Sequence, residues 1–190
     1  MTAIVDYRAG NLTSVKYALD ALGEESVVTG DPAAIESAGR VIFPGVGAAK
    51  SAMANLRMLG LEDVVRRVAA DRPFLGICLG MQILFEHTEE DGGVDMLGIL
   101  PGRVRRFPDV GDKIPQMGWN DVAIEGRRSE FYYFVHSYYA EVGPYTYGQT
   151  EYAGVRFTSM IRKDNIFACQ FHPEKSGRAG LELLKEWFSC

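Results

Sequence analysis

The stretch Phe74-Leu-Gly-Ile-Cys-Leu-Gly-Met-Gln82 sets one of only three cysteines, Cys78, two residues after Gly76 and two before Gly80. The apolar run opened by Pro73 reads as a buried strand, and Leu79 to Phe85 reads as the start of a helix. A residue at that junction sits in a sharp turn, where flanking glycines relieve crowding and permit strained backbone angles. The G-x-S-x-G nucleophile elbow uses the same geometry with serine in place of cysteine. Backbone N–H groups and the dipole of the following helix favour the thiolate, the nucleophilic form. A cysteine simply buried in a strand–helix unit fits these nine residues equally well.

A nucleophilic cysteine needs a base, and the chain has three histidines. His87, in Phe85-Glu-His-Thr-Glu-Glu90, reads as a solvated surface residue. His136, in Phe134-Val-His-Ser-Tyr138, reads as a core histidine or part of a pocket wall. His172 follows the strand Ile166–Gln170 and precedes Pro173-Glu174. Pro173 holds the backbone extended, and the Glu174 carboxylate can turn back to the imidazole, select its tautomer and stabilise the imidazolium. Two other readings of the segment are an ordinary turn and half of a metal site, Cys169-x-x-His172. The second lacks another ligand pair, so no metal is expected.

Pro44-Gly-Val-Gly47 closes another strand. It is either a simple turn or half of an oxyanion hole, in which a peptide N–H among Gly45, Val46 and Gly47 acts with that of Leu79. No G-x-x-x-x-G-K-[ST] phosphate loop occurs.

The first half of the chain alternates strand and helix. Strands are expected at Ala3–Asp6, Ser26–Val28 and Arg40–Phe43, and helices at Leu12–Leu22 (with Asn11 as N-cap), Ala48–Leu56 and Leu61–Ala70. The second half reads as seven strands, at Gly102–Phe107, Asp121–Ile124, Glu130–Val135, Tyr138–Val142, Tyr147–Tyr152, Ser159–Arg162 and Ile166–Gln170. A last helix spans Gly177–Phe188. The fold class is therefore α/β: a mostly parallel central sheet with helices on both faces, and additional antiparallel strands in the second half. Asp6, Pro44–Gly47 and Cys78 all fall at carboxyl ends of parallel strands, where such sheets build their sites.

At 190 residues without repeat or linker, the chain reads as a single domain, 1–190. Lysine and arginine number 20 against 25 aspartates and glutamates, a net charge of −5, which disfavours nonspecific binding to nucleic acid or a membrane surface. Cys78, Cys169 and Cys190 form no paired framework and read as free thiols in a reducing compartment. With no signal-like or membrane-length apolar run, the expected location is cytoplasmic.

Together PGVG, GICLGMQ and QFHPEKS, in that order, resemble the class I (triad) glutamine amidotransferases. Asp6-Tyr-Arg-Ala-Gly-Asn-Leu12, Pro115-Gln-Met-Gly-Trp-Asn120, Tyr133-Phe-Val-His-Ser-Tyr138 and Phe171-His-Pro-Glu-Lys-Ser176 extend the likeness over essentially the whole chain. They are similar to the branch that delivers ammonia to a (β/α)8-barrel cyclase. The resemblance implies that Cys78 attacks the side-chain amide of L-glutamine, with His172 as base and acid and Glu174 orienting it. A glutamyl thioester forms, ammonia leaves, and water releases glutamate, with no cofactor. It further implies that Gln82, Glu90, Ser137 and Tyr138 hold the amino-acid end of the substrate, with His136 in the same wall. Asn11, Trp119, Tyr133 and Lys175 match positions at the interface of a heterodimer with the cyclase, which receives the ammonia through a channel. Trp119 reads equally well as folded onto the sheet. Arg8-Ala9 and Gln116 depart from the usual pattern, which has a glycine-containing pair and often histidine. Competing functions are a glutaminase subunit of another synthase (the one for pyridoxal phosphate, for example), a cysteine peptidase or glyoxalase-like enzyme, and a noncatalytic thiol module.

Overall fold

The computed structural model of the protein describes residues 1–189; Cys190, read above as a free thiol, lies outside them. The chain begins with β1 (Thr2–Val5), α1 (Leu12–Leu22), β2 (Ser26–Thr29), α2 (Pro32–Ser37) and β3 (Arg40–Gly45). It continues through α3 (Ala49–Met58), α4 (Glu62–Asp71), β4 (Phe74–Cys78) and α5 (Leu79–Gln82). Short strands β5 (His87–Thr88) and β6 (Val94–Asp95) precede β7 (Arg103–Arg106), β8 (Gln116–Ile124) and β9 (Glu130–His136). Then come β10 (Tyr138–Ala140), β11 (Thr146–Tyr152), β12 (Val155–Lys163), β13 (Ile166–Cys169) and α6 (Gly177–Phe188).

The parallel part of the sheet runs β2-β1-β3-β4-β13, so a strand from near the end of the chain lies beside β4. Beyond β13 the order continues β12-β10-β7-β5-β6, mostly antiparallel, while β11 branches from β12 to reach β8 and β9. Register places Gly45 opposite Cys78 and Cys169 opposite Ile77. The carboxyl ends of β3, β4 and β13 therefore meet on one edge.

Alternation along the strands splits the core in two. Val5, Val41, Phe43 and Phe74 pack on one face with α3 and α4 through Met53, Leu56, Val65 and Val68. Ile4, Ile42, Leu75 and Ile77 pack on the other with Leu19 of α1, Leu184 and Trp187 of α6, and the aromatic strands. Both faces of the parallel sheet are covered, which is why its strands read as continuous apolar runs.

Several elements differ from expectation. The run 79–85 is helical only through Gln82, four residues, so the helix dipole behind Cys78 is small and the turn geometry matters more. α2 is an element that the turn signal Gly30-Asp31-Pro32 conceals: the Asp31 side chain caps it by accepting from the Ala33 N–H, with Pro32 in its first turn. Asn11 makes no side-chain cap on α1, because its amide is engaged across the fold with Glu174. The strand Asp121–Ile124 is longer, starting at Gln116, and Ser159–Arg162 grows to Val155–Lys163.

Candidate active site

Cys78 is the last residue of β4 and takes φ 56°, ψ −114°, a strained conformation for a residue with a side chain. Close approach explains its glycine neighbours. A Cβ on Gly80 would lie 1.9 Å from the Phe43 carbonyl oxygen, and one on Gly76 would lie 3.0 Å from that of Gly80. Without those glycines β3 and the elbow could not sit side by side, and the sharp turn would open.

The end of β13 delivers the partner groups. His172 is extended, and Pro173 opens a single 3-10 turn, Pro173–Lys175, which folds Glu174 back. His172 Nδ1 then donates to Glu174 Oε1 at 2.8 Å, with both side chains almost fully buried. Since a carboxylate only accepts, the ring's proton sits on Nδ1 and Nε2 is the nitrogen left to receive one. Burial by itself lowers the pKa of His172, but its interactions with the Cys78 sulfur and the Glu174 carboxylate outweigh it and hold the imidazole up at about 10. The site therefore favours a protonated ring beside the sulfur. Asn11 Nδ2 adds a donor to Glu174 Oε1 at 3.3 Å, while Oε2 is buried without a partner among the described residues.

A cavity of about 330 Å³ opens over the thiol. Its lining includes Cys78, His172, Leu79, Val46 and Gly47 as well as Gln82, Glu90, His136, Ser137, Tyr138 and Lys175. Gly45 and Gly47 serve different ends. A Cβ on Gly45 would lie 2.6 Å from the Tyr7 hydroxyl and 2.7 Å from the Gly80 nitrogen, whereas Gly47 is uncrowded but at φ 92°. One glycine permits packing and the other a backbone conformation. Leu79 opens a helix, so its N–H has no partner within that helix. Glu90 Oε2 accepts from the Ala49 N–H at 2.6 Å, and burial raises its pKa more than that bond lowers it.

His136 is a wall residue and is buried. Burial depresses its pKa to about 4, against the opposing hydrogen bond to Tyr138. Its Nδ1 donates to the Tyr138 carbonyl at 2.7 Å, so a neutral ring needs a donor at Nε2, where the Gln116 amide lies 2.8 Å away. The atom placed there is Oε1, and turning the Gln116 amide over would bring its NH2 to the neutral ring. His87 pairs with Asp95 across β5 and β6 at 2.9 Å, away from the site.

Of the four residues matched to an interface, Lys175 lines the cavity and Asn11 reaches Glu174. Trp119 is 56% exposed and meets Tyr133 edge to face, ring centroids 6.1 Å apart, which rules out the folded-down reading. One further residue joins the site. Gln170 is fully buried beneath the thiol, with Nε2 3.8 Å from Cys78 Sγ. The signal was there: a polar residue ending an apolar strand on the edge that carries Cys78.

A model of the glutamine amidotransferase class-I family matches residues 3–189. The chain is 47% identical to imidazole glycerol phosphate synthase subunit HisH of Methanothermobacter thermautotrophicus, over 98% of this chain and 97% of that protein. It is 48% identical to the protein of the same name from Dehalococcoides mccartyi, over 99% and 96%. Among solved structures, one described as a glutamine amidotransferase superposes with a TM-score of 0.78 at 22% identity, covering 98% of this chain and 97% of the other. PurLQS from Thermotoga maritima gives 0.73 at 16% identity, over 99% and 97%. These last two likenesses concern the fold alone.

Proposed function

The chain belongs to the class-I glutamine amidotransferases, and from that premise we propose that it is the glutaminase subunit of an imidazole glycerol phosphate synthase. Residues 1–190 act as one amidotransferase domain in the cytoplasm, in a heterodimer with a (β/α)8-barrel cyclase, and neither nucleic acid nor membrane is a partner. No helix among the described residues is long and apolar enough to cross a membrane.

The chemistry follows the arrangement of the site. The Cys78 proton passes to His172 Nε2, and the sulfur adds to the side-chain carbonyl carbon of glutamine. The Leu79 N–H and a peptide N–H of Gly45 to Gly47 stabilise the oxyanion. As the tetrahedral intermediate collapses, the carbon–nitrogen bond breaks and His172 returns its proton to the departing nitrogen, which leaves as ammonia. Water, deprotonated by the same ring, cleaves the thioester and releases glutamate. Glu90 and the Gln82 oxygen offer acceptors to the substrate ammonium, and the 137–138 segment holds its carboxylate. The ammonia reaches the cyclase through a channel, and the cyclase forms imidazole glycerol phosphate and aminoimidazole carboxamide ribotide.

The observation that carries the reading is that Cys78 and His172 line one cavity together with Gln82, Glu90 and Tyr138, while His172 Nδ1 is hydrogen-bonded to the buried Glu174 carboxylate behind it. Mixing the protein with the cyclase, glutamine and the phosphoribulosyl aminoimidazole carboxamide substrate should yield glutamate and imidazole glycerol phosphate in equal amounts. Nitrogen transfer only to another synthase's acceptor subunit, such as that for pyridoxal phosphate, would overturn it.

A further inference from the structure

A chain of buried amides runs behind the nucleophile, and its polarity is set by what each group can do. The Tyr138 carbonyl can only accept, and it takes hydrogen bonds from His136 Nδ1 at 2.7 Å and Gln82 Nε2 at 2.9 Å. Gln82 Nε2 uses its other hydrogen on Gln170 Oε1 at 2.8 Å. An amide whose oxygen is held in this way can turn only its NH2 elsewhere. That NH2 is 3.8 Å from Cys78 Sγ, a reach suited to the larger radius of sulfur. Gln170 is 0% exposed, so no bulk water competes for its hydrogens.

We propose that Gln170 is a further catalytic residue, donating from its side-chain amide to the Cys78 thiolate as it forms. This rests on Cys78 being the nucleophile. When the Sγ–H bond breaks, the proton goes to His172 Nε2 and the electron pair stays on sulfur. The Val135 carbonyl, 3.9 Å from Sγ, accepts from the thiol and disfavours the anion. The Gln170 donor acts in the opposite sense, because a hydrogen bond to an ionised group is about twice as strong as one to a neutral group. Ionisable groups that feel the sulfur include His172 on the turn after β13, Tyr7 after β1 and Cys169 on β13. Burial pushes Tyr7 and Cys169 up, so both stay neutral at working pH. The negative sulfur thus has two stabilising partners in this set, the imidazolium and the Gln170 amide.

The test uses Gln170→Met, of similar length but without the donor, in the assembled complex with the cyclase. The acidic limb of kcat/KM against pH should move up by about one unit, roughly a tenfold loss on the acid side. Rate should recover at higher pH, with the alkaline limb unmoved. Alkylation of Cys78 by iodoacetamide, followed on its own peptide, should shift in parallel. A uniform loss across pH, or no change, would mean that Gln170 only fills space and would sink the inference. Should the variant fail to fold, the wild-type complex labelled with 15N-glutamine gives a second readout. The Gln170 side-chain amide resonance should move along the acidic limb and again on alkylation, and a stationary resonance counts against the proposal. If alkylated Cys78 still supports hydrolysis, the nucleophile assignment itself has failed, which is a separate outcome.

Discussion

Asn11 Nδ2 donates to Glu174 Oε1 at 3.3 Å, the same oxygen that accepts His172 Nδ1 at 2.8 Å. A residue at the start of α1 is thereby tied to the carboxylate that orients the base. Among the described residues Glu174 Oε2 has no partner, and this bond is one of two that hold the carboxylate in place. Asn11→Ala should lower kcat about three- to tenfold, on the scale of one hydrogen bond of ~1 kcal/mol, and leave KM for glutamine unchanged. Asn11→Asp should do worse, because it sets a second carboxylate against the first. Steady-state kinetics of both variants decide; an Asp variant as active as Ala would contradict the assignment.

Cys78→Ser should keep the fold and abolish glutamine hydrolysis, since a weakly acidic hydroxyl replaces an ionisable thiol. Free ammonia should still support cyclisation by the partner. Residual turnover above a trace would remove Cys78 from the nucleophile's role. Failure of the ammonia rescue in a correctly assembled complex would argue against separate ammonia production.

His172→Ala should cost on the order of a hundred- to ten-thousandfold in kcat. Glu174→Gln should cost less, because an amide oxygen can still accept from Nδ1 but cannot stabilise the imidazolium as well. Equal damage from both, with melting temperatures matched, would mean that the roles are wrongly divided.

The two buried histidines predict opposite pH effects on stability. His172 has its folded pKa raised to about 10, so its contribution is full below about 6.5 and fades as pH rises through 10. His136 has its folded pKa depressed to about 4, so its contribution is present above about 6.5 and is lost as pH falls through 4. Urea unfolding from pH 4 to 10 should show both flanks. Cys78→Ser should weaken the alkaline flank, because it removes the sulfur whose interaction raises His172. An unchanged alkaline flank in that variant would refute the coupling.

Activity should be low in the isolated chain and much higher with the cyclase carrying its substrate. The peptides of Gly45 to Gly47 are the expected switch. With Val46 N–H turned away, the oxyanion has only the Leu79 donor, a loss of about 3 kcal/mol or roughly a hundredfold. Gly47 sits at φ 92° in open space, so Gly47→Ala tests conformation without a clash. It should flatten the response to the partner, as should Gly47→Pro, while Gly45→Pro or Gly45→Ala would collide with Tyr7 and Gly80. Equal hydrolysis rates alone, with bare cyclase and with ligand-loaded cyclase would rule the switch out.

The elbow was legible because its constraint is local: β3 crowds Gly80, and the fold-back of the turn sets Gly80 and Ala168 against Gly76. The strand–helix rhythm of the first half was legible for the same reason, since its apolar periods are long enough to read. α2 escaped because six residues carry too little periodicity, although Asp31-Pro32 is a good helix start. β5 and β6, two residues each, carry none at all. The local preference of Asn11 is to cap, and a tertiary partner, Glu174, takes the amide instead. Gln170 stayed hidden for a related reason. Its significance comes from lying under Cys78, and only the pairing of β13 with β4 creates that proximity.

That pairing has a consequence for how the protein is made. Cys78 leaves the ribosome well before His172, Glu174 and Gln170, and β13 cannot enter the sheet until the whole antiparallel excursion from β5 to β12 has been synthesised. A nascent chain carrying Cys78 therefore has no imidazole beside it and no amide beneath it. The thiol becomes a weapon only when β13 docks, so translation order itself serves as the safety catch.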